Sequence, residues 1–303
     1  MMRTCVNISF YYVLLVLTSF ASATDIAVII SQDLKPYQDA LIGFNDIIDA
    51  SISKYNMEGD INKGHNITNE IKSRKPDLIL ALGTKAAMIA GEDIKDIPII
   101  YCLVSRPAKY GLMGNNITGV SLNISIETQF EAIKSVLPDK KKIGVIYDPD
   151  VSEEAVDEAK HIAMELGFVL KTFTVHSEKE IPNIMRSIEG NIDVLWMVMD
   201  ETVINKNSLE YIILFSINNK IPVMGLSNRF VQKGALFSLF SDYYDLGHQA
   251  GELVEQILRG TSPNKLPVAF PQKTKLALNL KTASLIGIKI SPDIIERADK
   301  IYQ

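Results

Sequence analysis

Apolar residues in this chain fall in short unbroken runs separated by segments with helical spacing. The clearest run is Asp77 followed by Leu78, Ile79, Leu80, Ala81 and Leu82, stopped by Gly83 and Thr84. It returns as Asp193 followed by apolar residues 194–199, stopped by Asp200. Each run is preceded, at nearly the same interval, by a partner: 26–30 ending at Ser31, and 143–147 ending at Asp148. Each is also followed by an Ile-Pro pair and a further run, 99–104 ending at Ser105 and 223–224 leading to Ser227. Runs of four to eight apolar residues without alternation are what strands buried on both faces of a parallel sheet require. One strand-and-helix pattern is thus written twice, which predicts an α/β fold of two Rossmann-like lobes with parallel sheets.

The intervening segments fill in the pattern. Leu41, Phe44, Ile47, Ile48 and Ile52 recur at helical spacing after Pro36, a short strand is expected near 57–61, and a helix over about 67–72 is ended by Pro76. Gly83 and Thr84 open a third helix. In the second half the spacing predicts helices at about 153–166, closed by Gly167, and at 181–188 and 209–217, with a strand at 169–175. A strand at 234–240, a helix running to Leu258, a strand at 276–280 and one or two short terminal helices complete the chain. The expected division is 24–121 with 244–272 for the N-terminal lobe, and 122–243 with 273–303 for the C-terminal lobe.

At 303 residues the chain exceeds the size at which a single core stops growing, in keeping with two lobes. A net charge of −5 with no basic stripe speaks against nucleic acid as a partner. Residues 1–23 combine Arg3, an apolar stretch too short to span a bilayer, and Ala21-Ser22-Ala23. That is the form of a cleaved secretory signal peptide and places the mature chain in the periplasm or outside the cell. Cys5 precedes the apolar stretch, so a lipid anchor is not indicated. Cys102, alone in the mature chain and inside a predicted strand, is expected to be an apolar filler rather than half of a disulfide.

In parallel α/β sheets ligands bind beyond the carboxyl ends of the strands. Ser31, Thr84, Ser105, Asp148, Asp200 and Ser227 all stand at such ends. Thr84 opens a helix, where free N–H groups and the helix dipole favour a carboxylate or phosphate, although capping its helix is its ordinary role. Asp200 suits an ammonium group, or simply the turn that follows it. Lys85 and Arg106 add positive charge to the same edge, while Tyr147, Tyr243 and Tyr244 suit stacking or packing. Trp196 is expected in the core. No nucleophile elbow, phosphate loop, dinucleotide fingerprint or zinc-protease sequence occurs, and His65, His161, His176 and His248 are scattered. Neither catalysis, a metal nor a cofactor is indicated.

Further short sequences occur in a fixed order: Asn116-Ile117-Thr118-Gly119-Val120-Ser121, Leu137-Pro138 before 143–149, Gly234-Ala235-Leu236, Asp242-Tyr243-Tyr244-Asp245-Leu246-Gly247 and Leu280-Lys281-Thr282-Ala283. Together with Ile97-Pro98 and Ile221-Pro222 they resemble the ABC-transporter substrate-binding proteins of the group that includes the tryptophan and other aromatic amino-acid binders. The resemblance covers essentially the whole mature chain. It implies a type I periplasmic-binding-protein fold with three crossovers that closes as a hinge on a small-molecule ligand and delivers it to a membrane ABC permease. It also implies ligand contacts at Thr84, Ser105 and Asp200. The family usually reads Thr-Pro where this chain has Thr84-Lys85, and Thr-Asp-Pro where it has Ser105-Arg106-Pro107. These changes predict a more positive cleft and a ligand carrying at least one carboxylate or other anionic group, with or without a free ammonium. The expectation is a monomeric solute-binding protein. A sensory subunit presenting its ligand to a membrane receptor or kinase, and a secreted enzyme on the same lobes, are the alternatives.

Overall fold

The computed structural model describes residues 24–303, apart from the side chain of Lys206, so the signal-peptide expectation for 1–23 lies outside the described residues. The first lobe is built from β1 (Asp25–Ile30), α1 (Lys35–Asn45), β2 (Ser51–Asn56), α2 (Ile61–Arg74), β3 (Leu78–Leu82), α3 (Thr84–Asp93), β4 (Ile99–Val104) and β5 (Ile117–Ser121). Its sheet is parallel throughout, in the order β2-β1-β3-β4-β5. The apolar runs serve both faces by alternation. Ala27, Ile29, Ile79, Ala81 and Ile99 pack under α2 and α3, while Ile26, Val28, Leu78, Leu80 and Ile100 pack on the opposite side under α1.

The chain then enters the second lobe through α4 (Ile126–Val136), β6 (Lys142–Tyr147), α5 (Pro149–Glu165), β7 (Val169–Thr174), α6 (Ile181–Ile188), β8 (Val194–Trp196), α7 (Lys206–Asn218), β9 (Val223–Gly225), α8 (Asn228–Lys233) and β10 (Phe237–Ser241). It returns to the first lobe as α9 (Tyr243–Leu258), which lies against α1 and β4. After a stretch in which Ala269 bridges Val120, it finishes in the second lobe with β11 (Thr274–Asn279), α10 (Leu280–Ile286), α11 (Pro292–Glu296) and β12 (Lys300–Tyr302). The second sheet runs β12-β11-β10-β9-β8-β6-β7, and only the β10–β11 pairing is antiparallel. Ile143, Val145, Val194 and Trp196 fill one side of it, and Ile146, Leu195 and Met197 the other. Trp196 donates its ring N–H to Gln129 Oε1 at 2.8 Å and meets Phe130 edge-on. Cys102 is fully buried, and burial pushes its thiol up to about 12, consistent with an inert filler.

The acid that precedes each repeated run has the same structural task in both lobes. Asp77 Oδ2 accepts the N–H of Asp25 at the start of β1, and Asp193 Oδ2 accepts those of Lys141 and Lys142 at the start of β6. Each carboxylate ties down the amino end of the neighbouring strand, which fixes the strand pairing on which every carboxyl-end position depends.

The two helices that meet at the back of the first lobe approach until their backbones touch. A Cβ on Gly247 of α9 would lie 1.7 Å from the Ala40 carbonyl oxygen of α1, and one on Gly43 would lie 2.0 Å from that of Tyr244. Close by, Asp245 is buried in α9 and joins the last crossover through Lys273 Nζ at 2.9 Å, with Gln249 donating at 2.8 Å. Burial pushes the Asp245 carboxyl up, but Lys273 and Gln249 outweigh it and hold the group below its ordinary value. A depressed carboxylate contributes stability that is fully present above its unfolded value and is lost as pH falls through its folded one. Melting temperature should therefore fall on the acid side more steeply for the native chain than for Asp245→Asn; identical acid limbs in the two would rule this out.

Several boundaries differ from the sequence expectations. Ile52 belongs to β2 rather than to a helix, and α2 begins at Ile61, six residues before the expected start. Edge strand β2 is half exposed along its length, so it carries no continuous apolar run to betray it. Helix α2 is set by Asp60, whose side chain accepts from Asn62 and Lys63, a polar signal that apolar spacing overlooks. Strand β8 ends at Trp196 instead of 199, although Met197 still donates to Met224. Helix α8 and strand β12 carry no apolar pattern that marks them; both are short, with half or more of their residues exposed.

Candidate functional site

Strands β1, β3 and β4 of the first sheet and β6, β8 and β9 of the second direct their carboxyl ends to Ser31, Thr84, Ser105, Asp148, Asp200 and Ser227 respectively. The local chemistry differs between the two edges.

In the first lobe, Gly83 precedes α3 with φ of 91°, a conformation glycine adopts freely, and it offers no capping side chain. Ser31 supplies the cap from another strand, its buried Oγ accepting the Ala86 N–H at 2.9 Å. The N–H groups of Thr84 and Lys85, in the first turn, are left without a protein acceptor among the described residues. Tyr37, from the start of α1, stands over this turn: a Cβ on Gly83 would lie 2.6 Å from its hydroxyl and 2.8 Å from Ser31 Oγ. The result is a glycine buried beneath Tyr37 and Ser31, with two free donors and the positive end of a ten-residue helix beside a phenol. Sequence reasoning did not single out Tyr37; its place one residue after Pro36, following the end of β1, was the available signal.

The Lys85 ammonium is tied to the turn after β2, whose Gly59 N–H donates to the Ser31 carbonyl at 2.8 Å. Lys85 Nζ reaches the Gly59 carbonyl in that turn at 2.7 Å. Arg106 is likewise engaged: it donates to the Met199 carbonyl at 3.3 Å and pairs with Glu201 at 3.4 Å, while Lys109 pairs with the same carboxylate at 2.9 Å. The expected positive cleft is therefore offset by Glu201, an acid beside Asp200 that the strand-end pattern does not mark. Ser105 is half-buried and has no side-chain partner among the described residues.

The second lobe's two strand-end aspartates are committed to donors of the protein itself. Asp200 is 1% exposed, its Oδ1 accepting from Thr202 and Val203 at 3.0 and 3.1 Å and its Oδ2 from Asp148 at 2.8 Å. Asp148 caps α5 through Asp150 and accepts the Thr202 hydroxyl at 2.8 Å. Ligand atoms of Asp148, Asp150 and His176 lie within 4.8 Å of one another, but both Asp148 oxygens already accept hydrogen bonds, as an N-cap does. Ser227 precedes α8 without a side-chain bond to it. Tyr243 opens α9 and lines a cavity of about 280 Å³ where α1, α9, β10 and Lys275 of β11 meet, away from Thr84. Tyr147 is buried core.

Two lobes of mainly parallel sheet, joined by three crossovers and presenting strand ends with a helix start that keeps two free N–H groups, define a two-lobed α/β binding-protein architecture. The family model for ABC transporter substrate binding proteins matches residues 31–302, and the chain belongs to that family. A tyrosine-binding protein of Clostridioides difficile (strain R20291) is 31% identical over 263 residues, covering 84% of this chain and 76% of the relative. Among solved structures, a ligand-free, open substrate-binding protein with adhesive properties from Clostridium difficile is 28% identical, with a TM-score of 0.75 over 92% of this chain and 99% of that one. An ABC domain in complex with L-Trp from Streptococcus pneumonia is 27% identical, with a TM-score of 0.60 over 92% of this chain and 100% of that one.

Proposed function

We propose that this chain is the extracytoplasmic solute-binding component of an ABC importer, taking an aromatic amino acid or a close carboxylate-bearing analogue between its lobes. The observation that carries the reading is the first turn of α3, where two unpartnered N–H groups of Thr84 and Lys85 meet the Tyr37 phenol over Gly83. A carboxylate on those donors is worth more than a neutral group because the hydrogen bonds become charge-assisted and the helix dipole adds to them. The tyrosine-binding relative and the L-Trp complex support the aromatic amino-acid class. The higher TM-score against the open, ligand-free relative supports an open arrangement here. On this reading closure brings the Ser105, Asp148 and Ser227 edges together around the ligand, and a membrane permease receives the loaded form.

The test is a thermal-shift and calorimetric panel on residues 24–303 with L-tyrosine, L-tryptophan, L-phenylalanine, tyramine and dicarboxylates. A ligand at about a hundredfold over its dissociation constant adds roughly 2.7 kcal/mol of stability. An aromatic amino acid should stabilise the protein and tyramine, which lacks the carboxylate, should not. Equal stabilisation by tyramine and tyrosine would remove the helix start from the site, and no shift across the panel would overturn the assignment.

A further inference from the structure

The lobes touch through charged side chains on their strand-end edges. Glu201, in the loop after β8 of the second lobe, receives both Arg106 and Lys109 from the segment after β4 of the first, and Arg106 also donates to the Met199 carbonyl. The backbone leading to these cations carries two unusual conformations. Strand β4 shifts register around Leu103, which has φ of 62°, and Arg106 itself has φ of 48°. Two left-handed non-glycine residues within four positions are uncommon and costly. The first displaces the chain by a bulge, and the second turns Arg106 into the short 3₁₀ turn Pro107–Tyr110, which carries Lys109. Hydrogen bonding to Lys109 is the leading influence holding the Glu201 carboxyl below its ordinary value.

We propose that Glu201, Arg106 and Lys109 form an electrostatic clasp that limits how far the two lobes open in the absence of ligand. The proposal rests on the reading that ligand is captured between the lobes, and adds to it a control on affinity. An attraction between lobes that exists without ligand raises the population of part-closed molecules. The apparent dissociation constant scales inversely with the competent fraction, so the clasp tightens binding without touching the ligand. Exposed ion pairs are individually weak and are screened by salt. A hinge equilibrium needs only a small bias, and two cations sharing one carboxylate supply one that depends on ionic strength.

The test begins without ligand. Small-angle scattering of the native chain and of Glu201→Gln should give a larger radius of gyration for the variant at low salt. In about 1 M NaCl, where the Debye length is about 3 Å, the native chain should expand towards the variant, which itself should no longer respond. Equal radii, or the same salt response in both, would overturn the clasp. With L-tyrosine as the probe, or L-tryptophan if the panel selects it, Glu201→Gln should weaken affinity about threefold, the scale expected of exposed pairs. Lys109→Gln should act in the same direction, and the double variant should add little to Glu201→Gln alone. Unchanged or tighter binding in Glu201→Gln would also overturn the proposal. The scattering arm needs no ligand, so failure of the ligand panel and failure of the clasp are separately visible.

Discussion

Gly247→Ala is expected to destabilise the protein by about 3 kcal/mol or more, at the upper end for an overpacked core, lowering the melting temperature by roughly 6–12 °C for a chain of this size. The added methyl would sit 1.7 Å from the carbonyl oxygen of Ala40 and 2.5 Å from its carbon, and these are backbone atoms that cannot rotate away. Gly43 makes the reciprocal approach to Tyr244, and Gly251 packs against Ile47, so α9 cannot slide along α1 to find room. The helices must separate, and a close-packed interior transmits that displacement. Helix α1 carries Tyr37 to the first turn of α3, and α9 starts at a crossover between the lobes, so ligand affinity should fall with stability. Gly114→Ala is the control: a Cβ there meets only an Ile117 methyl at 3.4 Å, ordinary contact, and a change within about 0.5 kcal/mol is expected. Equal melting temperatures for Gly247→Ala and the native chain would show that the two helices are not packed as described.

The central strands of both lobes were legible because burial on two faces leaves nothing but apolar residues, as in 78–82 and 143–147. The doubled pattern led directly to two parallel sheets. Strand β2 and helix α8 were not legible for the opposite reason: edge and surface elements bury little, so their residues carry only a weak periodic signal. At the site, the strand-end rule located Ser31 and Thr84 but not their roles. Ser31 caps a helix that begins fifty-odd residues later, a long-range hydrogen bond that no local pattern encodes. Arg106 reads as free positive charge in sequence. Its partner Glu201 lies on the other lobe, and only the fold brings them together.

Asp200→Ala should cost about 3–5 kcal/mol, because three backbone N–H groups that now donate to a buried carboxylate lose their acceptor and each unsatisfied group is worth about 1–3 kcal/mol. The loss should be the same for ligand-free and ligand-loaded protein once the binding contribution is subtracted. Asp200→Asn should recover part of it: its carbonyl oxygen can serve Thr202 and Val203, while its amide would oppose the Asp148 N–H as donor against donor. Denaturant unfolding of the three proteins, with and without ligand, makes the measurement. If Asp200 instead acts by holding a ligand ammonium group, Asp200→Ala should lose affinity and leave ligand-free stability intact, which would overturn the framework role. Asp200 fixes the turn that bears Glu201 and follows Met199, the two residues Arg106 grips, so Asp200→Ala should also abolish the salt response of the ligand-free radius of gyration. A variant that unfolds more readily yet keeps that response would mean the Glu201 loop is held by its contacts with the other lobe rather than by its own.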